Sequence, residues 1–410
     1  MRDRNHLFLL SLVVGFSSLP ALGMVWVLSK PALSAVQGKS VRPDDTLFLA
    51  IHRDAVVADG HNDALTRTLG GEDLSIRTSR GHTDLARLRE GGLDVQVFAL
   101  YVNPSAKNPF RTVLRMLDTL HALAKRAGRI LRVTRTSGEI QQAAAEGVIA
   151  AVASLEGGHA VGLSYPRILE LYRRGVRIFG PTWSRGTPWA SSSQEEAAGK
   201  RRGLTASGKR LVRAIDSLGM LIDISHAGPK TVEDILDIVH GPVIASHSSC
   251  AALCPSERNL TDAQIRALAR RGGVVMINFC PGFLRSGGGS DAEAIRSFQR
   301  RLQSIGSGSK RFESRALEAR DSLIAEARRR GLPTILDVAD HIDHAVRIAG
   351  DEHVGLGSDF DGIDLTPVGL ADVADLPFLT RELLRRGYPI ESIRRILGGN
   401  LMRVFHEQCR

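Results

Sequence analysis

A histidine and an aspartate stand two residues apart in Asp59-Gly60-His61-Asn62-Asp63. In extended backbone, side chains two apart share a face, so His61 and Asp63 would aim an imidazole and a carboxylate at one point. That pair suits a zinc ion. More metal-type residues follow at wide intervals: Glu156 in Leu155-Glu156-Gly157-Gly158, His226 in Ile224-Ser225-His226, His247 in Ala245-Ser246-His247, and two aspartates in Gly357-Ser358-Asp359-Phe360-Asp361-Gly362. Singly, each has a plain explanation. A lone histidine at a strand end is usually a packed core residue. Glu156 could meet an arginine, and Asp359 and Asp361 could cap a following helix. Together they are harder to dismiss, because a buried carboxylate without a partner is strongly unfavourable.

The inventory exceeds the needs of one ion. It suits two ions sharing a carboxylate, about 3.5–4 Å apart with a hydroxide held between them. Zinc lowers the pKa of bound water to about 7, which makes that hydroxide available near neutrality. A carboxylate outside the ligand set would then carry protons to the leaving group. Imidazole and carboxylate also accept manganese or cobalt, so the donor set alone does not fix the metal.

These residues must be brought together from distant parts of the chain. Each closes a short apolar run. The runs cover 56–59, 93–101, 148–155, 176–182, 220–225, 242–246, 273–279 and 353–358, with helical periodicity between them, as at 263–270 and 338–349. Most lack clean alternation, as strands buried on both faces do. Eight such runs predict an α/β fold, a (β/α)8 TIM-type barrel, whose strand ends converge at one mouth. An open doubly wound sheet is the alternative, but no G-x-G-x-x-G follows the first run. Ser286-Gly287-Gly288-Gly289-Ser290 and Gly306-Ser307-Gly308-Ser309 break the spacing before the last run. They predict a helical surface insert at about 284–333 within a catalytic barrel domain spanning 36–410.

Residues 1–35 read differently. Arg2 and Arg4 precede an uncharged apolar run over 7–28, which fits a signal peptide or an N-terminal membrane anchor. Either would export the barrel to the periplasm, cell envelope or exterior. The chain has 410 residues, 43% hydrophobic, with a net charge of +10. Its arginines are scattered through helical stretches, and aromatics make up only 5%, so stacking platforms for nucleic acid are not expected. Of four cysteines, Cys250, Cys254, Cys280 and Cys409, none forms C-x-x-C. An oxidising exterior would permit a Cys254–Cys280 disulfide. Nothing in the sequence decides between monomer and homodimer.

Several motifs carry a family resemblance: Asp59-Gly60-His61-Asn62-Asp63, Glu156-Gly157-Gly158-His159, Thr187-Pro188-Trp189, Asp223-Ile224-Ser225-His226, Ser246-His247-Ser248-Ser249, Arg258-Asn259 and Gly357-Ser358-Asp359-Phe360-Asp361-Gly362. On these the chain, over about 57–405, resembles the membrane (renal-type) dipeptidases. The resemblance implies an amidohydrolase-like barrel with two zinc ions that hydrolyses dipeptides, often with a D-residue at the C-terminal side. It implies that His61 and Asp63 bind one zinc, His226 and His247 the other, and Glu156 bridges them. Asp359 would hold the bridging water and shuttle its proton, and Arg258 would grip the substrate carboxylate. Where the family has a carbonyl-polarising histidine, this chain has Trp183, whose indole N–H donates without charge. The competing readings are a barrel hydrolase of lactones, cyclic amides or phosphoesters, and a non-catalytic binding protein. The first usually carries a further metal histidine or a carboxylated lysine on the fourth strand, where Trp183 stands. The second would have lost a ligand, and none is missing.

Overall fold

The computed structural model describes residues 44–409; the apolar run at 7–28 lies outside them. Valine, isoleucine and alanine dominate nine parallel strands: β1 (Ala58–Asp59), β2 (Val95–Tyr101), β3 (Leu131–Val133), β4 (Ile149–Glu156), β5 (Val176–Gly180), β6 (Leu221–Asp223), β7 (Val243–Ala245), β8 (Val274–Ile277) and β9 (Val354–Leu356). Eight follow in the order β1-β2-β4-β5-β6-β7-β8-β9, while β3 pairs with the start of β4. All eight apolar runs are strands, most shorter than the runs themselves. The additional strand, β3, escaped notice because Leu131-Arg132-Val133 is too short and too interrupted to form an apolar run.

The sheet closes into a barrel between its first and last strands. Gly60 N–H donates to the Leu356 carbonyl at 2.8 Å, Asp63 N–H to that of Phe360 at 2.9 Å, and Asp359 N–H to that of His61 at 3.1 Å. Closure thus runs through the residues that carry His61 and Asp359. Asp59 fastens the seam: its carboxylate accepts the Ser358 N–H and hydroxyl, both at 2.7 Å, and the Gln96 amide at 2.9 Å. Along β2 and β8 alternate residues divide between two cores. Val95, Val97, Val274 and Met276 join Leu401 and Phe405 of the helix Asn400–Gln408, while Phe98, Leu100, Val275 and Ile277 pack with the surrounding helices.

Before β9 the chain forms the helices Ala292–Ser304 and Ser314–Arg329, joined by a short turn at Gly308–Phe312. These helices grip the loop after β9. The Gln299 amide donates to the Thr366 hydroxyl at 3.1 Å and the Pro367 carbonyl at 2.9 Å, and Arg320 donates to the Gly369 carbonyl. Arg381 and Asp321 form a paired ion bridge at 2.7 and 2.9 Å that ties the second helix to Leu376–Arg385.

The disulfide considered from sequence is not formed. The Cys254 thiol turns to the Gly282 carbonyl at 3.4 Å, and all four cysteines are free. Titration of thiols in denatured, unreduced protein is expected to count four per chain; a count of two would restore the bridge.

Candidate metal centre

The mouth of the barrel is built from strand ends. His61 and Asp63 follow β1, Glu156 ends β4, His226 and His247 follow β6 and β7, and Asp359 follows β9. All six are buried. His61 Nε2 lies 3.4 Å from Asp63 Oδ2 and 3.5 Å from Glu156 Oε2. The other glutamate oxygen, Oε1, lies 3.0 Å from His226 Nε2 and 3.7 Å from His247 Nε2. One carboxylate therefore turns each oxygen to a different cluster, with the donor atoms of each cluster within 4.8 Å of one another.

Hydrogen bonding alone does not account for this arrangement. His61 Nε2 and Asp63 Oδ1 are buried with no hydrogen-bond partner among the described residues. The His226 and His247 Nε2 atoms face each other at 2.9 Å. Two imidazole nitrogens on one tetrahedral zinc, each about 2.0–2.1 Å from it, would stand roughly 3.3 Å apart. The donor set thus fits two cations. Among the described residues, His226, Asp359 and Asp361 are also the non-glycine residues with positive φ, at 66°, 62° and 66°. Such strain costs about 1–3 kcal/mol per residue and gathers at functional sites.

The buried charges distort one another's protonation. Burial opposes charge on His61, but Glu156 and Asp63 outweigh it and hold its pKa well above the ordinary value. Burial would raise the Glu156 carboxyl, yet His61 and His226 bring it down. Burial lowers His226 to about 4, with Arg258 adding to the effect. Asp359 rises to about 7, chiefly through burial, with Asp63 and Glu156 also pushing upward against His61.

A cavity of about 670 Å³ opens onto Asp63, Glu156, His226 and Asp359, lined also by Tyr101, Trp183, Arg258 and Phe283. Trp183 stands between Tyr101 and His226, at ring-centroid distances of 4.9 and 6.2 Å. Burial, then Glu156 and Asp63, raise the Tyr101 phenol to about 12, so it remains a proton donor. The Arg258 guanidinium lies over Phe283 at 5.5 Å and donates to the His247 carbonyl at 3.1 Å. It is buried and has no ion-pair partner among the described residues. Asp361, by contrast, is committed to Arg67 and the His82 N–H.

The sequence reading gave no role to Asn278, whose amide donates to Asp359 Oδ2 at 3.0 Å, nor to Tyr101, Asp223 or Ser246. Ser246 precedes a candidate ligand and Asp223 opens the His226 motif, which was the available signal. Tyr101 and Asn278 gave none, since neither is a metal-type residue.

The fold and donor set define a barrel metallohydrolase. The pattern of the membrane dipeptidases (peptidase family M19) matches residues 47–409, and the chain belongs to that family of metallopeptidases, hydrolases of peptide bonds. Dipeptidase verJ of Clonostachys rogersoniana is 33% identical over 381 residues, covering 88% of this chain and 87% of that one. Dipeptidase 3 of Rattus norvegicus is 30% identical over 372 residues, 88% of this chain and 66% of the rat protein. A crystal structure of dipeptidase AC, a metallo peptidase, superposes with TM-score 0.70 at 30% identity, covering 87% of this chain and 99% of that one. A metallo peptidase from Rhodobacter sphaeroides, liganded with a phosphinate mimic of L-Ala-D-Ala, gives TM-score 0.70 at 28% identity, covering 87% and 100%.

Cation uptake must displace the protons that His61 and Asp359 hold in the cation-free site. Affinity for a divalent cation is therefore expected to rise with pH through about 7, with protons released on binding. Calorimetry in buffers of different ionisation heat measures both; affinity that is flat from pH 6 to 8 would contradict it.

Proposed function

We propose that this protein is an exported two-zinc dipeptidase that hydrolyses free dipeptides, L-D dipeptides among them. The observation that carries the reading is the division of Glu156, one oxygen toward His61 and Asp63 and the other toward His226 and His247. Zinc ions held by these five residues would bring the pKa of a bound water down to about 7. The chain's own groups supply the rest. Asp359, buried at the cavity wall and held by Asn278, accepts the proton of the attacking water and returns it to the leaving amine. Arg258 receives the free carboxylate of the substrate, which a planar guanidinium can bind through two hydrogen bonds. Trp183 offers an uncharged indole N–H and a flat wall beside His226.

The inclusion of L-D dipeptides draws support from the ligand of the Rhodobacter sphaeroides relative, a mimic of L-Ala-D-Ala. Export rests on the apolar run at 7–28. Among the described residues no helix is long and apolar enough to cross a membrane.

Asp359→Asn keeps the shape but cannot take up a proton. Turnover is expected to fall about 10²–10⁴-fold while the metal content stays at the wild-type level. Near-normal turnover would remove Asp359 from the chemistry.

The substrate clamp is tested from both sides. Amidation of a good dipeptide's C-terminus leaves the buried Arg258 charge unpaired. That should cost about 1–3 kcal/mol in kcat/KM, a roughly 5- to 150-fold loss. Arg258→Met should show a similar loss on the free acid and little further loss on the amide. Equal cleavage of acid and amide by the wild type would overturn the clamp and with it the restriction to dipeptides.

A further inference from the structure

Asp223 and Ser246 are outside both donor clusters, yet both are buried beside them. Asp223 ends β6 and Ser246 follows β7. Asp223 Oδ1 accepts the N–H groups of Ser225 at 3.0 Å and Ser246 at 2.9 Å. Its Oδ2 accepts the Ser246 hydroxyl at 2.5 Å. A hydroxyl has one proton and two lone pairs. With its proton committed to Asp223, Ser246 Oγ can only accept from its remaining neighbours. These are His247 Nδ1 at 2.7 Å and His61 Nδ1 at 3.4 Å. Both rings must then carry a proton on Nδ1, which leaves Nε2 of each ring as the nitrogen turned toward Glu156 and free to take a cation once any proton on it is lost.

The rings belong to different clusters, His61 to that of Asp63 and His247 to that of His226. They stack with centroids 3.7 Å apart at a 34° tilt. His61, Asp223 and His247 also bring three donor atoms within 4.8 Å of one another, as a further cation pocket would. The contacts of Ser246 Oγ to all three, at 2.5, 2.7 and 3.4 Å, put the hydroxyl among them instead. An imidazole ligand usually has its own acceptor for the ring N–H remote from the metal. Here one hydroxyl serves two imidazoles.

We infer that Ser246, oriented by Asp223, is a positioning residue common to both cation sites, which fixes the tautomer and ring plane of His61 and His247 together. The inference rests on the two-cation reading of Glu156. Its consequence is joint damage: removing one hydroxyl that touches neither cation weakens both sites.

Wild type, Ser246→Ala and Asp223→Asn are stripped with a chelator and titrated with zinc, counting bound ions by elemental analysis. They are also titrated with cobalt, following the visible absorption. Circular dichroism and the unfolding midpoint report the fold. Wild type is expected to take two ions. Ser246→Ala is expected to remain folded, to lose affinity at both sites by roughly 10–100-fold, and to show an altered cobalt spectrum at both. Asp223→Asn frees the serine proton to turn toward His247, so it should weaken both sites as well; it carries the test if the alanine variant does not fold. Packing alone would move the unfolding midpoint and leave affinities and cobalt spectra unchanged, which overturns the proposal. Weakening at one site alone also overturns it. Fewer than two ions in wild type would instead overturn the two-cation reading beneath it.

Discussion

A carboxylate buried among imidazoles is costly unless positive charge meets both of its oxygens. Glu156 is in that position, and the mouth of the barrel is arranged around it. Its place at the end of β4 comes from strand register, with Tyr101 beside it on β2 and Gly180 on β5. Glycine at 180 keeps that neighbour small, because a Cβ there would approach the Leu155 carbonyl at 3.3 Å. Partners for the two oxygens arrive from strands on both sides of the barrel, so no local segment could satisfy Glu156 alone. On one side β1, separated from β4 only by β2, supplies His61, and closure of the sheet then brings β9 and Asp359 round to β1.

The price of that convergence appears in the backbone. His226 and Asp359 adopt left-handed conformations that non-glycine residues rarely take. They persist because neighbouring groups over-determine them. The His226 carbonyl accepts the Ser193 N–H at 2.8 Å, and Asp359 is tied to the His61 carbonyl and to the Asn278 amide. Seam, strain and charge therefore reinforce one another: the hydrogen bonds that close the barrel are also those that aim its functional side chains.

Much of this was legible in the sequence, for definite reasons. Strands buried on both faces write themselves as apolar runs, which is why eight of nine could be read. Residues at the ends of those runs inherit a common destination, so His61, Asp63, Glu156, His226, His247 and Asp359 could be grouped without knowledge of distances. Residues acting through hydrogen bonds were harder to see. Serine, asparagine and tyrosine are common in loops, and nothing in the string marks Ser246 as meeting two rings or Asn278 as holding Asp359. The cysteines show the opposite failure. An oxidising exterior would permit a Cys254–Cys280 bridge, but a disulfide depends on thiol direction, and the Cys254 thiol is turned to Gly282.

The loop after β9 is shared between two masters. Its early residues, Ile363 and Leu365, line the cavity, while its later ones, Thr366, Pro367 and Gly369, are held by Gln299 and Arg320 of the helical insert. Among the described residues, the insert supplies no donor to either donor cluster. Variation in these surface helices can thus reshape the cavity wall while the two donor clusters are left intact. Such a division lets selection explore new substrates without first surrendering the old chemistry.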